Sequence, residues 1–135
     1  MTTIVCTRST MSADSAAVDD TICSVVKIAR TPHGILGWCG VASTGPRLAQ
    51  WLCGDRRGAP PDMSEAAALL VDGDSIWYFD GTEHPYEIAD PFAACGSGAM
   101  AALAVLHCGG TTKDAVRIAA KIDPHTSGKI RTMEV

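Results

Sequence analysis

Residues 22–28 and 35–41 are short runs with apolar side chains on both faces of the strands they predict. Strands of that kind need a covering layer on each side. Turn residues divide the first 42 positions into strands over 2–8, 10–16, 22–30 and 35–41, the last two joined through Thr31-Pro32-His33-Gly34. Ser43-Thr44-Gly45-Pro46 then offers a cap and a first-turn proline, Leu48, Trp51 and Leu52 share a helical face, and Gly54 closes a short helix. Residues 55–62 are polar and rich in Gly and Pro, so they read as a loop. Runs over 67–71 and 75–79 flank Asp72-Gly73-Asp74, a hairpin signal. Ser97 is placed to cap a helix over 99–108 that is apolar nearly all round and therefore expected to be packed on two sides. Gly109-Gly110 stops it. Thr111 or Thr112 caps a second helix over 113–122, Asp123-Pro124 ends that helix, and 129–135 reads as a closing strand. This order is not the alternation of a doubly wound fold. It predicts one α+β domain over 1–135 in which each sheet meets a second sheet on one side and helices on the other.

Aromatic residues make up only 5% of the 135 positions, so Ala, Val, Ile and Leu must fill the core. The net charge is −4 and the densest basic spot is Arg56-Arg57, so no basic stripe suited to nucleic acid is present. The longest strongly apolar stretch, 99–106, is far short of the roughly 20 residues that span a bilayer, and the N-terminus lacks a basic region leading into an apolar one. No membrane partner and a cytoplasmic location are therefore expected. The six cysteines form no Cys-x-x-Cys pair, and His33, His84, His107 and His125 share no ligand spacing, so no metal or cofactor is assigned. The thiols read as reduced, small, buried hydrophobes. Trp38, Trp51 and Trp77 read as core or interface residues.

The candidate chemistry starts at Thr2. Methionine aminopeptidases remove Met1 when the next side chain is small, and the threonine exposed carries both a hydroxyl and a free α-amine. An amine with an ordinary pKa near 8 can take the hydroxyl proton close to neutral pH. Lys27 lies in the apolar run Val25-Val26-Lys27-Ile28-Ala29, where a lysine either snorkels at a sheet edge or is held inside; strict alternation turns it to the same side as Val25 and Ala29. Asp14 and Asp123 stand where turn and cap residues are common.

Thr2-Thr3-Ile4-Val5, Ala13-Asp14, Val26-Lys27, Leu36-Gly37-Trp38-Cys39-Gly40, Gly96-Ser97-Gly98 opening a helix, and Asp123 with Ser127-Gly128 together resemble the proteasome β-subunit family and its bacterial relative, the HslV peptidase. The resemblance implies a four-layer αββα sandwich, the N-terminal nucleophile hydrolase fold. It also implies a threonine peptidase in which Thr2 is the nucleophile, Asp14 and Lys27 stand beside it, and the Gly37 N–H forms the oxyanion hole. Ser97 then sits near the α-amine with Asp123 and Ser127. Ala17, Val25, Ala29, Ile35 and Cys39 are expected to line an apolar substrate pocket. The implied partners are unfolded polypeptide as substrate, further copies of the chain in a ring or stacked rings, and an ATPase unfoldase in assemblies that use one.

Two departures from the family pattern stand out. Fewer residues separate the helix after the oxyanion glycine from the next hairpin, so the helix pair expected there is truncated. Asp123-Pro124-His125-Thr126-Ser127 has one residue more between Asp and Ser than the archaeal and eukaryotic pattern, so Thr126 or Ser127 can fill the serine's position. A small-molecule amidase using the same nucleophile and a non-catalytic structural subunit are the alternative functions.

Overall fold

The hairpin anticipated around Gly73 is built from β7 (Ala66–Asp72) and β8 (Ser75–Phe79), with Asp72 opposite Ser75 and Gly73 at φ +59° where nothing crowds it. In this computed structural model, which describes residues 2–18, 21–55, 59–81 and 84–135, that hairpin lies within a five-stranded antiparallel sheet. Its order is β5 (Ile28–Thr31), β6 (Gly34–Gly40), β7, β8 and β9 (Tyr86–Ile88). A four-stranded sheet runs β10 (Phe92–Gly96), β1 (Thr3–Thr7), β2 (Thr10–Ala13), β11 (Arg131–Glu134), and β3 (Ala16–Val18) pairs with β4 (Ile22–Ser24). Met1 and Arg56-Arg57 lie outside the described residues.

Three apolar clusters fix the layers. Ile4, Cys6 and Met11 of the four-stranded sheet meet Ile28, Ile35, Leu69, Val71 and Ile76 of the five-stranded one, so the two sheets pack face to face. Behind the larger sheet, Leu36, Trp38, Ala68 and Leu70 meet Leu48 and Leu52 of helix α1 (Thr44–Cys53). Behind the smaller, Val5 meets Ala102 and Leu106 of α2 (Ala99–His107) and Ala115, Val116 and Ala119 of α3 (Thr112–Ile122). Helix, sheet, sheet, helices: this is the four-layer αββα sandwich. Burying each aliphatic side chain of the central layer contributes about 1.5–3 kcal/mol, and close approach of the sheets depends on Gly37. A Cβ there would stand 2.6 Å from both Ile4 Cγ2 and Met11 Sδ.

Several expectations need correction. Residues 22–30 are not one strand: β4 ends at Ser24, β5 begins at Ile28, and Ile22 is 76% exposed rather than covered on both faces. Strands β9 and β10 formed without a clear sequence signal, because their pairing with β8 and β1 overrides weak local alternation. Helix α2 is capped at Gly98 without a side-chain bond, and Ser97 is turned elsewhere. Only Ala102 and Leu106 of that helix are buried and Met100 is 86% exposed, so it is covered on one side within the chain. Cys23, Cys53 and Cys108 are exposed, leaving Cys6, Cys39 and Cys95 as the buried thiols.

Candidate active site

The break between β4 and β5 forms the floor of the site. The Val25 N–H donates to Ser15 O at 2.7 Å instead of continuing the ladder to β6, and Arg131 Nη1 donates to Val25 O at 2.7 Å. Pairing resumes where Trp38 N–H donates to Lys27 O at 3.0 Å. This detour carries the Lys27 side chain into the interior, where Nζ donates to Asp14 Oδ1 at 3.1 Å and to Ala16 O at 2.6 Å. Asp14 Oδ1 also accepts the Thr3 N–H at 3.1 Å, and Oδ2 accepts the Ser127 N–H at 3.1 Å. Both charged side chains are buried. A buried ion pair is worth keeping only when its remaining hydrogen-bonding capacity is met in this way.

Thr2, itself buried, stands where two cavities meet. The larger, about 570 Å³, is walled by Ala16, Ala17, Val25, Val26, Lys27, Trp38, Ala42 and Pro46, with Thr21 and Cys23 at its side. The second, about 340 Å³, runs past Glu65, Ala66, Ala67, Gly96 and Ser97. Thr2, Cys39 and Gly40 border both. Of the five expected pocket residues, Ala17, Val25 and Cys39 face the larger cavity. Ala29 and Ile35 do not: Ala29 packs on the α1 side of its sheet and Ile35 lies between the sheets. Ala29 turns away because its strand is interrupted at 25–27, whereas Ile35 keeps the face it shares with Cys39 but lies at the far end of β6, inside the inter-sheet core.

Gly37 is also displaced from its expected position. It lies in the inter-sheet core and pairs with Ile28 and Leu69. The glycine on the cleft wall is Gly40, at φ +94°. Amides alternate between the two edges of a strand. Val41 N–H donates to Glu65 O toward β7 and Trp38 N–H donates to Lys27 O toward β5. Gly40 N–H is therefore aimed at the β5 edge, where residues 25–27 have drawn away and the cavity opens. Gly96, at φ +98°, is required for a different reason: a Cβ there would stand 1.9 Å from Thr2 O.

On the other side of Thr2, hydroxyls form a chain. Ser97 Oγ and Thr126 Oγ1 each donate to Asp123 Oδ2 at 2.5 Å, and Thr126 Oγ1 lies 2.6 Å from Thr3 Oγ1. Asp123 Oδ1 accepts the His125 N–H at 3.1 Å. Desolvation pushes the Asp123 carboxyl up, but the bonds from Ser97, Thr126 and the His125 amide outweigh it and hold the group below the usual carboxylate range. Asp123 therefore joins this chain, and among the described contacts it has none with Lys27. Thr126 supplies the buried hydroxyl. Ser127 is exposed and contributes its backbone, accepting the Ser15 and Ala16 N–H groups at 3.2 and 3.1 Å. Among the described residues no group of three or more His, Cys, Asp or Glu could hold a metal ion, and no helix is long and apolar enough to cross a membrane.

No protein-family model matches the chain, and no curated protein matches it in sequence. Solved structures do. Thiobacillus denitrificans BPH in complex with epoxomicin superposes with a TM-score of 0.76 at 16% identity, covering 99% of this chain and 97% of that one. Thiobacillus denitrificans BPH gives 0.75 at 16% identity, over 99% and 96% of the two chains. The eukaryotic HslV from Trypanosoma brucei gives 0.70 at 18% identity, over 98% and 99%. The protein therefore has the HslV-type fold over nearly its whole length, as the ordered motifs imply.

Proposed function

We propose that the protein is a threonine-type endopeptidase that hydrolyses peptide bonds with Thr2 after Met1 has been removed. The observation that carries this reading is the position of Thr2 at the junction of two cavities, bordered by Gly40 and by a Lys27 held in place by Asp14. In the proposed reaction the Thr2 α-amine takes the hydroxyl proton and Oγ1 attacks the substrate carbonyl carbon. Charge then develops on the carbonyl oxygen, and the Gly40 N–H is oriented to meet it. The Lys27 ammonium favours negative charge at the Thr2 oxygen. The same amine, now protonated, delivers its proton to the leaving nitrogen, and water releases the acyl group.

The apolar wall of the larger cavity supports a preference for apolar side chains before the scissile bond. Exposed Met100 on an apolar helix supports assembly into a homo-oligomer, in keeping with the ring expected from the motifs. Capture of epoxomicin by a structural neighbour supports the same class of chemistry here. A cytoplasmic compartment supplied with unfolded chains by an ATPase belongs to the same reading.

The test is turnover of an unstructured protein against short acyl-amides, for wild type and Thr2→Ala. The proposal expects protein cleavage that Thr2→Ala abolishes while leaving the fold intact. Turnover confined to acyl-amides identifies an amidase, and full activity in Thr2→Ala removes the mechanism.

A further inference from the structure

Cys39 on β6 and Cys95 on β10 belong to different sheets, yet their sulfur atoms lie 3.6 Å apart across the inter-sheet core. The peptidase chemistry uses neither thiol. We propose that Cys39 and Cys95 form a redox-active dithiol that peroxide converts to a disulfide, tying the two sheets together beside Thr2 and closing the site. The effect on activity rests on the function proposed above; the bond itself does not.

Geometry assigns each thiol a part. Cys39 borders both cavities and is 8% exposed, so a molecule as small as hydrogen peroxide entering the cleft meets it first. Cys95 is 2% exposed and borders neither cavity. The contact with Cys95 and the Ala67 backbone hold the Cys39 thiol below the usual range despite burial, while Cys95 is raised well above it by the same contact and by desolvation. The thiolate is the attacking form, so Cys39 is the entry point.

Its sulfur attacks one peroxide oxygen, the O–O bond breaks, and the departing hydroxide takes a proton to leave as water. The resulting Cys39 sulfenic acid is attacked by the Cys95 sulfur. The S–S bond forms, the sulfenic oxygen leaves as a second water carrying the Cys95 proton, and the two thiols have supplied two electrons to one peroxide. Reduction by an external dithiol reverses the change.

The structural consequence follows from the neighbours. Bonded sulfurs stand about 2.05 Å apart, so they must approach by about 1.5 Å from 3.6 Å. Cys39 directly precedes Gly40, and Cys95 directly precedes Gly96, whose backbone abuts Thr2 O. The shift therefore falls on the two glycines that frame the nucleophile. Misplacement of reacting groups by about 1 Å costs on the order of 100-fold in rate.

The experiment treats reduced, full-length protein with hydrogen peroxide, maps cysteine peptides by mass spectrometry without reduction, and measures the rate at which a peptide epoxyketone labels Thr2. The proposal expects a Cys39–Cys95 peptide pair, labelling slowed about 100-fold, and recovery with dithiothreitol. Cys95→Ala labels at the wild-type rate when reduced; after peroxide it forms no such pair, and its Cys39 passes to acids that dithiothreitol does not rescue. The wild-type map stands whether or not that variant folds. A Cys39–Cys23 pair, or Cys39 and Cys95 both still alkylatable after the exposed thiols are consumed, overturns the proposal. Formation of the disulfide with unchanged labelling overturns closure of the site. Failure of the reduced protein to label overturns the peptidase reading instead, and the mapped bond alone then decides for or against the dithiol.

Discussion

Asp14 Oδ1 accepts hydrogen bonds from Lys27 Nζ and from the Thr3 amide, each at 3.1 Å, so one buried oxygen sets the lysine and the N-terminal strand in register. The two bonds span 11 and 13 residues of sequence: one joins Asp14, just past β2, to the neighbouring strand β1, and the other reaches the detour at 25–27. Lys27→Ala leaves Asp14 buried without its counter-charge. The expected loss is about 3–5 kcal/mol in urea unfolding, with epoxyketone labelling lost in the fraction that remains folded. A loss below 1 kcal/mol would place the pair's energy in the range of exposed ion pairs.

The two glycines of β6 separate by opposite effects. Gly37→Ala overpacks the core against Ile4 and Met11 and costs about 1–3 kcal/mol, while folded protein labels within a few-fold of wild type. Gly40→Ala sets a Cβ 2.3 Å from Glu65 O at φ +94° and moves the strand that borders Thr2. Its labelling rate is expected to fall about 100-fold. The comparison is made on soluble protein at matched folded fractions.

Thr126 and Ser127 are distinguished in the same way. Thr126→Val removes the hydroxyl between Asp123 and Thr3 and leaves buried Thr3 Oγ1 without that partner, at a cost of about 1–3 kcal/mol. Ser127→Ala deletes an exposed hydroxyl and stays within about 0.5 kcal/mol of wild type. Equal losses would contradict the assignment of the working hydroxyl to Thr126 alone.

Asp123 carries a pH signature. Its folded-state carboxyl lies below the ordinary 3.8, so the native state holds fewer protons than the unfolded chain near that value. The stabilisation is complete above the unfolded pKa and is lost as pH falls through the lower, folded one. The stability gap between wild type and Asp123→Asn should therefore be constant near neutrality and narrow as pH is taken below 3.8. Denaturant midpoints across that range give the answer, and a gap that widens on acidification contradicts the assignment.

Much of this architecture is legible in the sequence because local signals and tertiary structure agree. Thr111 caps α3 through its side chain, and the apolar face of that helix is the one that meets β1. Apolar faces on both sides of β6 correctly demand a layer on each. The misplacement of Ala29 comes from the interruption at 25–27. Alternation cannot foresee a strand that leaves its sheet because Ser15 O and an arginine from β11 capture Val25. Ala29 follows that detour to the α1 side of its sheet, while Ile35 shares the face of Cys39 but stands at the far end of β6 from the cavity. The resemblance points to Gly37, and only the ladder shows that of these two glycines, three positions apart in one strand, Gly40 is the one whose amide faces the cleft. Lys27 stands out in its apolar run, but its place beside Asp14 and Thr2 is legible only through the resemblance, since a buried pair joined through a detour leaves no periodic trace.

The central claim is that Thr2 is a live N-terminal nucleophile. The most direct measurement is the intact mass of purified protein before and after incubation with a peptide epoxyketone, which needs both a hydroxyl and a free α-amine to form its double adduct. The account predicts a mass lacking Met1 that rises by one inhibitor. Protein that keeps Met1, or that has lost it and gains no adduct, contradicts the account.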